Sequence, residues 1–112
     1  MNEPTDARVP VVFADLAAAG PDDGLLIEGD APAPLGRAVA RFASGPRPWH
    51  APGCFCCAPR AAAAAALGRL YLARARGEVP FFRRVVAVVK DPAAVRAALA
   101  EDTLAGGRFR LD

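Results

Sequence analysis

Residues 81–99, FFRRVVAVVKDPAAVRAAL, contain the clearest structural signals in the chain. The first nine residues are apolar apart from two arginines and are rich in β-branched valine, which predicts a buried strand. Asp91 and Pro92 follow, and an acidic N-cap with proline in the first helical position is a favoured way to begin a helix. Apolar residues then recur at helical spacing, at Val95, Ala98 and Leu99. The stretch therefore predicts a strand followed by an amphipathic helix.

The same signals recur on either side of this unit. Residues 8–16, RVPVVFADL, and residues 25–30, LLIEGD, are short apolar runs near glycines and prolines, and both are predicted to be strands. Residues 60–76 contain six consecutive alanines and are predicted to form a helix, because alanine has the highest helix propensity. A further helix is expected in residues 31–45, with three apolar side chains on one face: Leu35, Val39 and Phe42. The final residues, AGGRFRLD, are expected to begin another strand.

Apolar strands that alternate with helices are typical of α/β proteins with parallel sheets. We therefore predict a small three-layer α/β domain over residues 8–112, preceded by a disordered tail at residues 1–7. The expected sheet is mostly parallel, with three to four strands and flanking helices. A sheet of this size has exposed edge strands, which favour pairing with another chain. A homodimer, or a protein partner bound at the sheet edge, is thus expected.

Composition and charge restrict the other partners. Fourteen basic residues, with Lys90 the only lysine, oppose twelve acidic ones and leave a net charge of +2. The arginines form no clustered face with interleaved aromatic side chains, so nucleic acid is not expected as a partner. No apolar run approaches the roughly 18 residues of a membrane span, and MNEPTDAR at the start has no apolar secretion segment. Three cysteines, an odd number, argue against a disulfide framework, and a cytoplasmic location is expected.

Nucleotide-binding motifs are missing from the sequence. A P-loop requires a lysine within a glycine-rich turn, followed by serine or threonine, and Lys90 has neither feature. Asn2 is the only asparagine, so a guanine-reading Asn-Lys-x-Asp motif does not occur, and no dinucleotide G-x-G-x-x-G is found. Ser44 and His50 lie six residues apart without a nucleophile elbow around the serine. The sequence therefore predicts a protein without catalytic residues.

All three cysteines and the single histidine lie in residues 50–60, HAPGCFCCAPR. Thiolate and imidazole ligands favour zinc, which takes four of them in a tetrahedron. The candidate metal ligands are Cys54, Cys56, Cys57 and His50. The residues alone leave two alternatives open, because unpaired cysteines are often buried packing residues, and Cys54 with Cys57 forms a C-x-x-C that could serve redox chemistry. The helix predicted after Cys57 favours the metal, since its positive N-terminus lowers thiol pKa.

Residues 53–60, GCFCCAPR, resemble the Gly-Cys-x-Cys-Cys-x-x-Arg segment of the CobW-type metallochaperone GTPases, relatives of HypB and UreG. The resemblance continues through residues 81–112, with a strand, an Asp-Pro-capped helix and a terminal Phe-Arg-Leu-Asp in the family's order. Residues 53–112, about half of the chain, are covered. The resemblance implies a P-loop NTPase-like α/β fold and zinc or a similar metal on Cys54, Cys56 and Cys57. His50 is not part of the family motif.

The chain departs from that family where nucleotide would bind. FADLAAAGPDDG, residues 13–24, replaces the phosphate-binding loop, and Val88, Val89 and Lys90 stand where the family has acidic and glycine residues. The expected function is therefore that of a degenerate or truncated CobW-like protein that holds or transfers a metal, zinc in the first place, without hydrolysing GTP. Two alternatives stay open: a non-catalytic pseudo-GTPase that pairs with a partner protein, and a GTP-binding protein that uses non-standard residues.

Overall fold

The computed structural model describes residues 6–43 and 59–112 of the protein. In chain order its elements are β1 (Val9–Phe13), a 3-10 helix (Leu16–Ala18), β2 (Gly24–Glu28), β3 (Val39–Phe42), α1 (Pro59–Ala75), β4 (Val85–Val88), α2 (Pro92–Glu101), α3 (Thr103–Arg108) and β5 (Phe109–Leu111). Of the predicted tail, residues 1–5 lie outside the described residues. Asp6, the first described residue, accepts a hydrogen bond from the backbone N–H of Arg8 at 2.9 Å and lies 3.6 Å from the Arg110 guanidinium.

The strands form a single five-stranded sheet in the order β3-β2-β4-β1-β5, and every pairing is parallel. The predicted α/β class is confirmed. Within the described residues the sheet has five strands instead of three to four, because β3 forms an edge strand where a helix was expected; β5, at the other edge, is the expected final strand. The two strands β2 and β4 lie inside the sheet and are buried along almost their whole length, which explains their near-continuous apolar sequences.

The two faces of the sheet are covered differently. On one face α1 and α2 enclose the main core, which includes Leu67 and Leu70 from α1, Val95 from α2 and Leu26 from the sheet. On the other face, within the described residues, Leu25, Ile27 and Val86 are covered by the 3-10 helix and by the chain around Ala33. The connections β1–β2 and β2–β3 thus lie on the face of the 3-10 helix. The connections β3–β4 and β4–β5 run across the sheet in the opposite direction and lie on the face of α1 and α2. That is the arrangement that a single crossover handedness requires.

The helix expected in residues 31–45 is wrong where the structure describes it. Val39–Phe42 is instead the edge strand β3, which pairs in parallel with β2 so that Val39 faces Leu25 and Phe42 faces Glu28. Ala38, Ala40 and Phe42 are buried in alternation along the chain, a period of two. Leu35, expected on the buried helix face, is 99 % exposed. Pro32 and Pro34 lie in irregular chain before the strand, and hydrogen bonds with β2 decide the conformation of residues 39–42.

The other two predicted helices, α1 and α2, are confirmed. The helix α3 was not predicted, and because it extends to Arg108, only Phe109–Leu111 of the expected final strand is a strand. In α1, Leu67 and Leu70 are buried and Tyr71 packs against the core. α1 ends at Ala75. Gly77, two residues later, has a φ of +70°, and the N–H of Glu78 donates to the carbonyl of Ala73 at 2.9 Å, as in a Schellman cap. Asp91 caps α2 by accepting the N–H of Ala93 at 2.9 Å, with Pro92 in the first turn. Local sequence signals therefore fix the end of α1 and the start of α2.

Candidate functional site

The carboxyl ends of all five strands lie at the same edge of the sheet, because all of the pairings are parallel. Ligands of open α/β sheets usually bind at this edge. β3 ends there at Phe42, and α1 begins at Pro59 and crosses one face of the sheet before β4 starts at the opposite edge. The cysteine-containing residues therefore join two elements that are both anchored at the carboxyl edge, which makes this edge the candidate site.

The predicted ligands themselves, Cys54, Cys56, Cys57 and His50, lie outside the described residues, and so does residue range 53–57 as a whole. Among residues 6–43 and 59–112, no three histidine, cysteine, aspartate or glutamate side chains come together as a metal site. At the carboxyl edge the structure describes Glu28, Gly29, Arg41 and the start of α1.

Glu28 is the buried acidic residue of this edge. It ends β2, it is only 9 % exposed, and its Oε1 accepts the backbone N–H of Lys90 at 2.9 Å and that of Asp91 at 3.4 Å. The carboxylate thus holds the turn that leads from β4 into α2. Sequence reasoning missed this role, although a glutamate that ends an apolar strand just before Gly29 and Asp30 is an available signal.

The end of β3 is fixed by three hydrogen bonds just before the cysteine-containing residues. Gly29, which has a φ of +95°, donates its N–H to the carbonyl of Phe42 at 2.9 Å. Arg41 Nη1 returns a hydrogen bond to the carbonyl of Gly29 at 3.2 Å. Arg69, from α1, donates to the carbonyl of Arg41 at 2.7 Å. The strand, the β2 turn and the helix are therefore tied together at the point where the chain leaves β3.

The start of α1 has the electrostatic character that the cysteine hypothesis requires. α1 has 17 residues, begins two positions after Cys57, and has no acidic residue in its first turn. Unpaired N–H groups give a helix N-terminus a partial positive charge, which stabilises thiolate over thiol. The predicted helix after Cys57 is confirmed.

The carboxyl end of β1 carries no comparable helix. Asp15 and the 3-10 helix Leu16–Ala18 follow the strand, and the N–H of Ala18 donates to the carbonyl of Asp15 at 2.9 Å. Leu16 packs against Leu25, Ile27 and Val86 on the face of the sheet opposite α1. A P-loop consists of a strand, a glycine-rich loop and a helix whose N–H groups face the phosphates. The β1–β2 connection of this chain instead contributes a single turn that covers the sheet.

A charged cluster lies at the opposite, amino edge of the sheet. Asp23 accepts hydrogen bonds from Arg84 Nη2 at 2.6 Å and from the N–H of Gly20 at 2.8 Å. Arg37 donates to the carbonyls of Gly20 and Asp23. The hydrogen bond from Arg84 is the main reason that the pKa of Asp23 is lowered. These contacts join the starts of β2 and β4 and the chain before β3, so the cluster stabilises the sheet.

Comparison with known proteins gives no match: no family model fits the chain, and neither a curated protein nor a solved structure is significantly similar to it. The resemblance to the CobW-type GTPases therefore rests on the residues quoted above. In the described part of the chain, no helix is both long enough and apolar enough to cross a lipid bilayer.

Proposed function

We propose that the protein holds a zinc ion, or another soft or borderline divalent metal, through the thiolates of Cys54, Cys56 and Cys57, with His50 as the fourth ligand. Three sulfurs and one imidazole match the tetrahedral preference of zinc. A reducing cytoplasm, where we place the protein, keeps such thiols available for metal. The protein would act as a CobW-like metal carrier or store that has lost its nucleotide-binding loop.

The observation that carries this proposal is the position of α1. Pro59 is already helical, two residues after Cys57, and the 17-residue helix has no acidic side chain in its first turn. Lowered thiol pKa at such a position would favour the deprotonated, metal-binding form near neutral pH. Bonds from Gly29 and Arg69 to the end of β3 give the other end of the cysteine-containing residues a rigid attachment.

The β1–β2 connection supports the part of this proposal that excludes GTP hydrolysis. Its 3-10 helix is three residues long, and Leu16 within it packs against the sheet. Such a turn offers neither the cradle of N–H groups nor the lysine that phosphates require. Isothermal calorimetry with GTP and Mg²⁺ is expected to give no binding heat. Saturable heat would favour the alternative of a GTP-binding protein with non-standard residues.

Metal analysis of protein purified anaerobically, without chelator, tests the proposal. We expect close to one zinc per chain in the wild type and almost none in Cys56→Ser, because a two-sulfur site would lose most of its affinity. Ser44→Ala is the control: it changes one small polar side chain before α1 that is not a predicted ligand, and it should keep the metal. Equal zinc content in wild type and Cys56→Ser would refute metal binding by these thiols. A reversible Cys54–Cys57 disulfide without metal would instead indicate a redox protein.

A further inference from the structure

The outer edge of β3 carries backbone groups arranged for another strand. Ala38 and Phe42 direct their carbonyls to β2, where they accept the N–H groups of Leu25 at 2.8 Å and Gly29 at 2.9 Å. Successive residues of a strand direct their backbone N–H and C=O groups to opposite sides. The groups of Val39 and Arg41, which alternate with Ala38 and Phe42, therefore point away from the sheet. Among the described residues no strand lies beyond β3. The one hydrogen bond described for this outer side is that from Arg69 to the Arg41 carbonyl, at 2.7 Å.

A groove runs beside this edge, between β3 and the C-terminal half of α1. Its volume is about 720 Å³, and its walls combine apolar and charged residues: Val39, Ala40, Arg41, Arg69, Leu70, Leu72, Ala73, Arg76 and Glu78. Leu72 is 39 % exposed here, a large apolar side chain beside an unfilled strand position. A sixth strand paired with β3 would direct alternate side chains into this groove. Backbone pairing with side-chain pockets is the usual basis of β-strand addition.

The charge of the groove selects the occupant. Three arginines, Arg41, Arg69 and Arg76, oppose one acid, Glu78. A second copy of the chain, paired edge to edge, would bring the same arginines together, and such like-charge juxtaposition disfavours the complex. An extended segment with acidic side chains meets the opposite sign. It would also replace the Arg69–Arg41 hydrogen bond with a backbone ladder and free the Arg69 guanidinium for a carboxylate.

We propose that the outer edge of β3 binds an extended, acidic segment of a partner protein as a sixth strand of the sheet. Recognition combines ladder hydrogen bonds to Val39 and Arg41, an apolar side chain against Leu72, and carboxylates beside Arg69 and Arg76. The site contains none of the predicted metal ligands, and it shares with the metal proposal only the hydrogen bond from Arg69 to Arg41. Binding should therefore persist in protein without metal.

The probe is a fluorescent seven-residue peptide, Thr-Glu-Thr-Val-Thr-Glu-Thr, which as a strand places both glutamates and the valine on the groove side. A peptide with lysine in place of both glutamates is its charge control. We expect fluorescence anisotropy to show at least tenfold tighter binding of the glutamate peptide. In the double variant Arg69→Glu/Arg76→Glu this preference should reverse. Hydrogen exchange should slow at the Val39 and Arg41 amides when the glutamate peptide binds. Equal affinity for the two peptides, or protection confined to other amides, would overturn the proposal.

A second variant separates edge pairing from general attraction to arginine. Val39→Pro removes an outward N–H and places a ring at the edge, while the ladder with β2 keeps all of its donors. Its circular dichroism spectrum should match that of the wild type, and glutamate-peptide binding should fall at least tenfold. Undiminished binding by folded Val39→Pro would show that no sixth strand forms.

Discussion

Glu28 Oε1 lies 2.9 Å from the backbone nitrogen of Lys90, a residue 62 positions later in the chain. The bond joins the carboxyl end of β2 to the turn between β4 and α2, and a carboxylate acceptor makes it stronger than a neutral bond. Glu28→Ala should therefore lower the free energy of unfolding by about 1–3 kcal/mol. Urea denaturation measures this loss. Glu78→Ala, at an exposed glutamate, is the control and should keep the free energy of unfolding within about 0.5 kcal/mol of wild type. An equally small effect of Glu28→Ala would show that the hydrogen bond from Lys90 to Glu28 does not stabilise the fold.

Asp23 makes stability depend on acid pH. The Arg84 guanidinium, hydrogen-bonded at 2.6 Å, is the main cause of its lowered pKa in the folded protein. A lowered folded-state pKa contributes stability that is present above the unfolded value, near 4, and is lost as pH falls through the folded value. Since Arg84 is 42 % exposed, solvent screening limits the effect to about 1 kcal/mol.

Asp23→Asn should therefore be less stable than wild type at pH 7, and the difference should shrink below about pH 4. Thermal unfolding across this pH range measures it. Asp22→Asn is the matched control, because Asp22 is the exposed neighbour. A wild-type advantage that is constant from pH 7 to pH 2.5 would rule out the Asp23 carboxylate as its source.

Gly106 and Gly107, adjacent in α3, should respond in opposite directions to alanine. A Cβ at Gly106 would lie 2.6 Å from the backbone carbonyl oxygen of Leu99, so α2 and α3 would have to separate. A Cβ at Gly107 meets no atom within 4 Å. Gly107→Ala should stabilise the protein by up to about 1 kcal/mol through helix propensity, and Gly106→Ala should destabilise it by about 1–3 kcal/mol. Stabilisation by both changes would contradict the close approach of α2 and α3.

Phe42 and Leu35 distinguish the strand β3 from the helix that the sequence suggested. In a helix with both residues on one face, truncation of either would be costly. Phe42 is 7 % exposed and Leu35 is 99 % exposed. Phe42→Ala should lower the unfolding free energy by about 3 kcal/mol, whereas Leu35→Ala should change it by less than about 0.5 kcal/mol. Similar losses in the two variants, measured in urea, would favour the helix.

The sequence predicts those elements whose signals are local. Six alanines and Gly77 predict the type and the end of α1, and the Asp91-Pro92 pair predicts the start of α2, without reference to the rest of the chain. β3 is only four residues long, and over so short a run Val39 and Phe42 fit a helical period while Ala38, Ala40 and Phe42 fit a strand period. Pairing with β2 decides between them, and that contact is not visible in the local pattern.

The candidate site likewise combines features that local sequence predicts with features that depend on distant residues. Cysteine spacing and the helix after Cys57 are local features, so the chemistry of the ligands and the start of α1 could be proposed from sequence. Glu28 depends on a turn 62 residues away, and Asp23 depends on Arg84, 61 residues away. Those roles emerge only once the order β3-β2-β4-β1-β5 has brought β2 beside β4.

Cobalt(II) titration, followed by absorption spectroscopy under anaerobic conditions, tests most directly whether the three thiolates share one ion. Cobalt reports sulfur ligands through an intense thiolate-to-metal charge-transfer band. We predict that this band saturates at one equivalent, that it falls by about a third or more in each of Cys54→Ser, Cys56→Ser and Cys57→Ser, and that it keeps its intensity but changes its visible ligand-field bands in His50→Ala. A wild-type protein that develops no charge-transfer band, or single cysteine variants whose band equals that of the wild type, would contradict the shared site.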